Sequence, residues 1–471
     1  MSLRNIMMTS AGSKITGGGG GDTFITVDPE PWIAVATSED FDWEPWCGKA
    51  DKVGNTYIHG WLRLADGWHD GFMKVDTFGA IVWATVLIED DPTNVSYYQY
   101  FESYGFAFNK DGSRGYLVGY QEDNNNWYTG VICFNTSTGE VIWFKKYGHN
   151  TDTGYRGGYY QSVVVDRLEN IYITGQMYDY NLNYDFGFVA KLSSVGDILW
   201  WKTISEPEFL GVSSMLGIDL DSSGFVLITG DVSPTAVPND RAVIFKIGSD
   251  GVKSFGMTVH PIDRVHSYLT SVVVDHAGNY ICAGEGPGAA AAGIIVTKLT
   301  SSGTVMWTKL VTYVPASITD AELDVDFDNN IYLKTNQYPN ILVFKFTTDG
   351  LYQWAIAVEC KSSDWGVDSF SLDNGNNIYV TGTDWWNHTI YKFPPAGVQS
   401  GTYSFNSFEA AYSVTRYDST TDITVADTEV DTTVNLLFDL ADITTDIVSF
   451  DGETLYRYGQ TGWTSEKQIL L

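Results

Sequence analysis

Two oxygen-rich runs in this chain could hold an ion. Asp324-Val-Asp326-Phe-Asp328-Asn-Asn330 alternates side-chain oxygens as a calcium loop does, and Asp219-Leu-Asp221-Ser-Ser-Gly224 is a shorter version of it. A full calcium loop ends on a bidentate Glu near its twelfth position. Thr335 and Gly230 stand at those places. The Asp residues therefore read as acceptors for turn N–H groups, and neither a metal nor any other cofactor is expected. The seven histidines form no HxH or HExxH spacing, and no GxSxG is present. Cys47, Cys133, Cys282 and Cys360 lie far apart with no CxxC, so they read as buried free thiols. With 58 acidic residues, carboxylate pairs for glycoside cleavage cannot be picked out by spacing. No catalytic residue is assigned, and the chain reads as a non-enzyme.

A second kind of chemistry is stacking. Trp68, Trp127, Tyr128, Tyr178, Tyr180, Tyr184, Trp385 and Trp386 fall in variable loops, beside amides and acids such as Asp123-Asn-Asn-Asn126. Aromatic faces with polar neighbours suit a sugar ring or a protein interface.

These loops belong to a repeat. A short strand ending in Gly recurs at Gly60, Gly119, Gly175, Gly230, Gly284 and Gly382, with Thr335 in the remaining slot, and successive anchors fall 47 to 59 residues apart. Nine residues before the anchor stands Asp51, Asp166, Asp221, Asp275, Asp326 or Asp373, with Lys110 in repeat two. After it comes an apolar strand ending in Lys74, Lys191, Lys246, Lys298, Lys345 or Lys392, with Phe134 in repeat two. Five residues on is Gly79, Gly139, Gly196, Gly251, Gly303, Gly350 or Gly397; nine on is Trp83, Trp143, Trp200, Phe255, Trp307 or Trp354, with Tyr403 two places late in repeat seven. Segments such as Val163-Val-Val-Asp166 and Ile171-Tyr-Ile-Thr174 are rich in strand-forming residues.

Each unit thus predicts four strands, and the whole predicts an all-β, closed β-propeller, since ring closure protects sheet edges. Seven repeats are clear. Asp418 and Asp427 are nine apart, Val434-Asn-Leu-Leu-Phe-Asp439 is similar to the strand that ends in Lys, and Trp32-Ile-Ala-Val-Ala-Thr37 looks like a fourth strand lacking its first three. Together they predict a degenerate eighth blade closed by both chain ends, and eight blades is the preferred expectation over seven. The expected organisation is a flexible Gly-rich arm over residues 1–30, a propeller over 31–450, and a polar tail over 451–471. Within the propeller, residues 31–38 are the closing strand and 410–450 the last blade. Loops between the Gly and Lys marks share one face, and in a ring repeat seven neighbours repeats one to three, so the aromatic residues gather on one sector.

The unit resembles the bacterial SBBP β-propeller repeat. Val163-Val-Val-Asp-Arg-Leu-Glu-Asn-Ile-Tyr-Ile-Thr-Gly175 and Phe188-Val-Ala-Lys-Leu192, with Gly196 and Trp200, carry the likeness over about residues 45–410. It implies a propeller and a surface or assembly module. Phe134-Asn-Thr-Ser-Thr-Gly-Glu-Val-Ile-Trp143 is similar to the blade motif of pyrroloquinoline-quinone dehydrogenases, where Trp docks on the neighbouring blade. The adjacent cysteines often found in those enzymes are absent here, so the likeness implies packing.

Charge narrows the partners. The 27 Lys and Arg against 58 Asp and Glu leave a net charge of −31. Such a chain repels nucleic acid and anionic membrane surfaces. With 44% hydrophobic and 15% aromatic residues it has ample material for a core. No apolar run approaches a membrane span, and no signal-peptide h-region is evident. The expected role is a bacteriophage virion or tail-associated component that joins other virion or assembly proteins through its chain ends, with a glycan or protein on the aromatic face. A bacterial surface or extracellular propeller is the alternative, and a polysaccharide-degrading enzyme the third reading.

Overall fold

In the computed structural model, described residues are 32–38, 42–64, 67–88, 101–123, 126–151, 154–156, 158–179, 184–205, 213–232, 240–261, 266–286, 293–313, 319–337, 340–359, 369–384, 387–397, 400–404, 411–418, 423–427, 430–431, 439–442, 447–451, 456–459 and 463–469. Among them there is no helix, and so none long and apolar enough to cross a membrane.

Seven antiparallel sheets each contain one four-stranded unit of the repeat. Blade 3 is typical: Gly158–Val165 lies innermost, followed outward by Ile171–Asp179, Tyr184–Leu192 and Ile198–Ser205. No sheet closes on itself. The ring is completed in blade 7, where Ser369–Leu372, Ile378–Asp384 and Asn387–Phe393 are joined by Trp32–Ser38 from the other end of the chain. Trp32 stands opposite Lys392, as Trp83 stands opposite Lys74 and Trp200 opposite Lys191. The early strand therefore fills the fourth place of blade 7 rather than starting an eighth. Gly401–Ser404, which carries Tyr403, leaves blade 7 and pairs with Ala411–Val414 on the edge of blade 6.

Among the described residues no eighth blade forms: the strands expected for it are distributed around the ring, and residues 434–438 lie outside the described residues. Ala411–Tyr417, Ile423–Asp427, Val430–Asp431, Asp439–Asp442, Ile447–Asp451, Tyr456–Gly459 and Trp463–Ile469 add an outer strand to blades 6, 5, 4, 3, 2, 1 and 7 in turn. The nine residues from Asp418 to Asp427 are one step of this belt from blade 6 to blade 5. In register, Asp427 lies opposite Lys309, Asp442 opposite Lys202 and Asp451 opposite Lys145. The arm expected over residues 1–30 lies outside the described residues.

Adjacent blades are joined by one repeated device. In blade 1, Trp83 Nε1 and Lys74 Nζ both donate to the Thr136 carbonyl in the turn of blade 2, each at 3.2 Å. Trp200 and Lys191 do the same to Ser249 at 3.1 Å. Trp307 and Lys298 do so to Thr348, at 3.4 and 3.2 Å. Blade 2 uses Trp143 to Ser194, while blades 4, 6 and 7 use Lys246 to Ser301, Lys345 to Pro395 and Lys392 to Thr77. The turn receiving these donors must be bare. Gly139 has φ +73°, and a Cβ there would sit 2.7 Å from the Trp83 ring. In repeat two the pairing puts Cys133, not Phe134, opposite Trp143. One extra residue in the following turn accounts for the shift.

The turn Asp residues accept the donors expected of them. Asp326 Oδ1 takes the N–H groups of Asp328 and Asn330, and Oδ2 takes the Asn330 amide. Asp51, Asp166 and Asp275 repeat this set, and Asp373 does so with Asn377.

Two predictions follow from these contacts. Lys298, 1% exposed, pairs with Asp275 at 2.8 Å. Lys298→Met leaves that carboxylate buried and unpaired, and chemical denaturation is expected to show a loss of about 3–5 kcal/mol. Ending the chain after Ser404 removes the belt. The ring is expected to fold with its strand content largely intact but to unfold at least tenfold faster, an effect absent if the belt bears no load.

Candidate functional site

The innermost strands of all seven blades enclose an axial channel of about 1470 Å³. Six of these strands carry a register shift near their outer end, as at Met215/Gly217 and Leu269/Ser271. Such bulges bend a strand and increase its local twist. Each innermost strand also presents an edge whose N–H and C=O groups need partners.

Side chains of the neighbouring blade supply many of those partners. Asp219 Oδ2 accepts from Val274 N at 2.8 Å, closing the seam between blades 4 and 5. Ser271 Oγ accepts from Leu323 N at 3.1 Å, between blades 5 and 6. Between blades 6 and 7, Asp324 accepts from Leu372 N at 2.8 Å and Glu322 from Phe370 N at 3.0 Å. Between blades 7 and 1, Ser371 accepts from Ala50 N at 2.9 Å, and the Ser369 hydroxyl donates to the Gly48 carbonyl. The channel carboxylates are thus latches that hold neighbouring inner strands together. Asp324 and Asp326, read from sequence as parts of one oxygen-rich run, serve separate purposes: one bridges two blades and the other caps a turn.

Burial tunes these groups. It pushes the Asp219 carboxyl up to about 6, with backbone hydrogen bonds opposing the shift. It raises Glu322 too, against the Lys334 ammonium 3.2 Å away. It pulls the Lys49 ammonium below the usual lysine range, while Asp324 opposes that shift. Sequence reasoning missed Lys49 as a site residue. Its signal was present: the position two before the turn Asp is Val in Val163-Val-Val-Asp166 and Val272-Val-Val-Asp275, but Lys49, Asp219 and Asp324 in other units.

A second polar cluster is sealed between blades 1 and 2. Ser103 Oγ lies 3.0 Å from Cys47 Sγ and 2.9 Å from His59 Nδ1, and His59 Nε2 lies 3.6 Å from Asp70 Oδ1. His59 and Ser103 are fully buried. Neither Nε2 of His59 nor Oδ1 of Asp70 has a hydrogen-bond partner. Burial pushes the Cys47 thiol up to about 12, with the Ser103 bond opposing, so it stays protonated. Cys133 and Cys282 are likewise buried free thiols; Cys360 lies outside the described residues.

The aromatic positions are distributed as follows. Trp68, Tyr178 and Tyr184 belong to the strands Gly67–Val75, Ile171–Asp179 and Tyr184–Leu192, near the ends that share the loop face. Trp127 is half-buried and meets Tyr120 edge-on, 6.2 Å between ring centres. Tyr128 is buried beneath the Lys146 ammonium, 5.5 Å from its ring centre. Tyr180, Trp385 and Trp386 lie outside the described residues. No group of three or more metal-ligating side chains occurs among the described residues.

No protein family and no curated protein matches the chain. Parts of the chain align with solved structures. A protein from Lactobacillus plantarum aligns over 75% of this chain and 92% of its own, with 13% identity and a TM-score of 0.37. The surface component PorZ of the type-IX secretion system of Porphyromonas gingivalis aligns over 76% and 48%, at 13% identity and TM-score 0.43. The polysaccharide lyase Uly1 aligns over 75% and 90%, at 10% identity and TM-score 0.47. At these identities and TM-scores nothing about this chain is inferred from the three, and the SBBP motif likeness stays a resemblance.

The buried cluster predicts a pH response. Burial raises Asp70 from its ordinary 3.8 to about 8 and lowers His59 from 6.5 to about 3. A carboxyl raised in the folded state holds its proton more tightly there, so its stabilisation is lost as pH climbs from about 4 to about 8. His59 acts oppositely, losing stability as pH falls from about 6.5 to about 3. The two effects cancel between about pH 4 and 6.5, so thermal melts of the wild-type protein are expected to drop between about pH 6.5 and 8 and to level off above that, and Asp70→Asn to flatten the drop. An unchanged slope in the variant would remove Asp70 as its cause.

Proposed function

We propose that this protein is a non-enzymatic structural and binding propeller that works as a component of a larger particle, a bacteriophage virion or tail-associated assembly. The belt carries this reading. A single segment covers the outer edge of every blade and ends against the strand that closes the ring. For a blade to leave the ring, the belt strand on it must first be peeled away, so the device slows unfolding. Slow unfolding suits a component built once into a particle and exposed thereafter. The channel carboxylates Asp219, Glu322 and Asp324 support the same reading, since each is committed to a neighbouring blade. The net charge of −31 keeps such a component off packaged nucleic acid.

The docking surface in this proposal is the loop face of blades 7, 1, 2 and 3, to which the sequence assigns Trp68, Trp127, Tyr178, Tyr180, Tyr184, Trp385 and Trp386, and it takes a protein or glycan partner. Tyr128, being buried, is not part of that surface. Mass spectrometry of purified particles is expected to find this chain at fixed stoichiometry, and Trp127→Ala to reduce its incorporation severalfold without unfolding it. Recovery of the chain only from a bacterial surface or secreted fraction would replace the particle with the extracellular setting.

A further inference from the structure

Two residues before its turn Asp or Asn, every innermost strand contributes one side chain to a single level of the channel wall: Lys49, Ala107, Val164, Asp219, Val273, Asp324 and Ser371. Three of them are charged, on blades 1, 4 and 6. Round the ring the steps between these blades are three, two and two, so no two charges stand on neighbouring blades. Asp219 and Asp324 are fixed. Each carboxylate takes the N–H of its own next residue and the N–H of an adjoining blade, all at 2.8 Å. Lys49 is not fixed: its ammonium has neither a hydrogen bond nor an ion pair with any described residue.

Lys49 is partly exposed to the channel, and a lysine held there without a partner gains from one. Asp219 and Asp324 act on it only at a distance, and their latches prevent them from swinging across to it. A simple anion placed on Lys49 would meet the field of Asp219, Asp324 and Glu322. A simple cation placed on the carboxylates would meet Lys49. A molecule bearing both charges satisfies both ends. Between blades 1 and 4 the wall at this level is Ala107 and Val164, which suits a short apolar body.

We propose that the channel binds a small zwitterion of the ω-amino-acid type, its carboxylate on Lys49, its ammonium between Asp219 and Asp324, and its methylene chain along Ala107 and Val164. This site is separate from the loop-face docking surface, and either can stand without the other. Isothermal titration calorimetry with 6-aminohexanoate tests it on the full chain, with hexanoate and hexylammonium as single-charge controls. The zwitterion is expected to bind one to one, and each control at least tenfold more weakly. Lys49→Met is expected to weaken 6-aminohexanoate at least tenfold while raising the thermal midpoint of the unliganded protein, because an unpaired cation has been removed. Hexanoate binding as well as the zwitterion would make this a plain anion site and overturn the proposal. So would undetectable binding of 6-aminohexanoate at millimolar concentration, or full affinity in Lys49→Met. The comparison of the three probes needs no variant to fold.

Discussion

A turn carbonyl that receives two donors from the preceding blade is the contact on which the rest of the ring depends. The Thr136 carbonyl accepts from an indole and an ammonium at once, and so do those of Ser249 and Thr348. Both lone pairs of a carbonyl are thereby used, and two donors on different strands fix its direction. Lys74, Lys191, Lys345 and Lys392 also lie over the tyrosine of their own blade, Lys191 at 5.1 Å from the Tyr172 ring centre. One side chain therefore joins a turn, a ring and the next blade. The glycine beside the carbonyl follows from the same contact, because the indole occupies the space a Cβ would need. Where the indole is replaced by Phe255, Lys246 still makes the bond and also reaches Asp221 at 3.2 Å. The staple is redundant, which is how the device persists through all seven seams.

A ring of blades still leaves two sets of strand edges, one along the channel and one around the rim. These are covered by different means. Along the channel, short side chains of one blade cap the N–H groups of the next, since inner strands converge too closely for another strand to enter. At the rim the blades splay, and only added strands can cover the edge. The belt does this and also holds Trp32–Ser38 between blade 7 and Trp463–Ile469, so that strand is paired on both sides. An unsupported closing strand would have one partner and would be the easiest place to open the ring.

The blade was readable in the sequence because its marks are local: a turn Asp, a bare glycine and a lysine two strands from an indole keep fixed spacings within one unit. The belt was not, for a physical reason. A strand announces itself through alternation and β-branched residues, but its partner lies hundreds of residues away and leaves no trace in local spacing. Asp418 and Asp427 were correctly seen to be nine apart, yet that period also fits the inside of a blade, and nothing nearby separates the two. The register that sets Asp427, Asp442 and Asp451 opposite Lys309, Lys202 and Lys145 can be read only when both strands are known. The same limit explains repeat two, where one added turn residue moved the lysine slot from Phe134 to Cys133. For the candidate site, composition showed the aromatic positions, but not that Tyr128 would be covered by its own blade.

Repetition and function pull against each other in such a ring. Residues common to all units are spent on staples and turns, because every seam has the same geometry to satisfy. Recognition of one molecule needs the opposite, a departure from symmetry that distinguishes one direction across the channel from another. At the level of Lys49 that departure is complete: valine on blades 3 and 5 gives way to lysine on blade 1 and aspartate on blades 4 and 6. The two aspartates found a structural use as latches, which explains their presence without a ligand. Lys49 found none. A charge that the fold turns into the channel and leaves unpaired is the feature that packing alone does not account for, and it therefore marks where the ring has been adapted to something other than its own assembly.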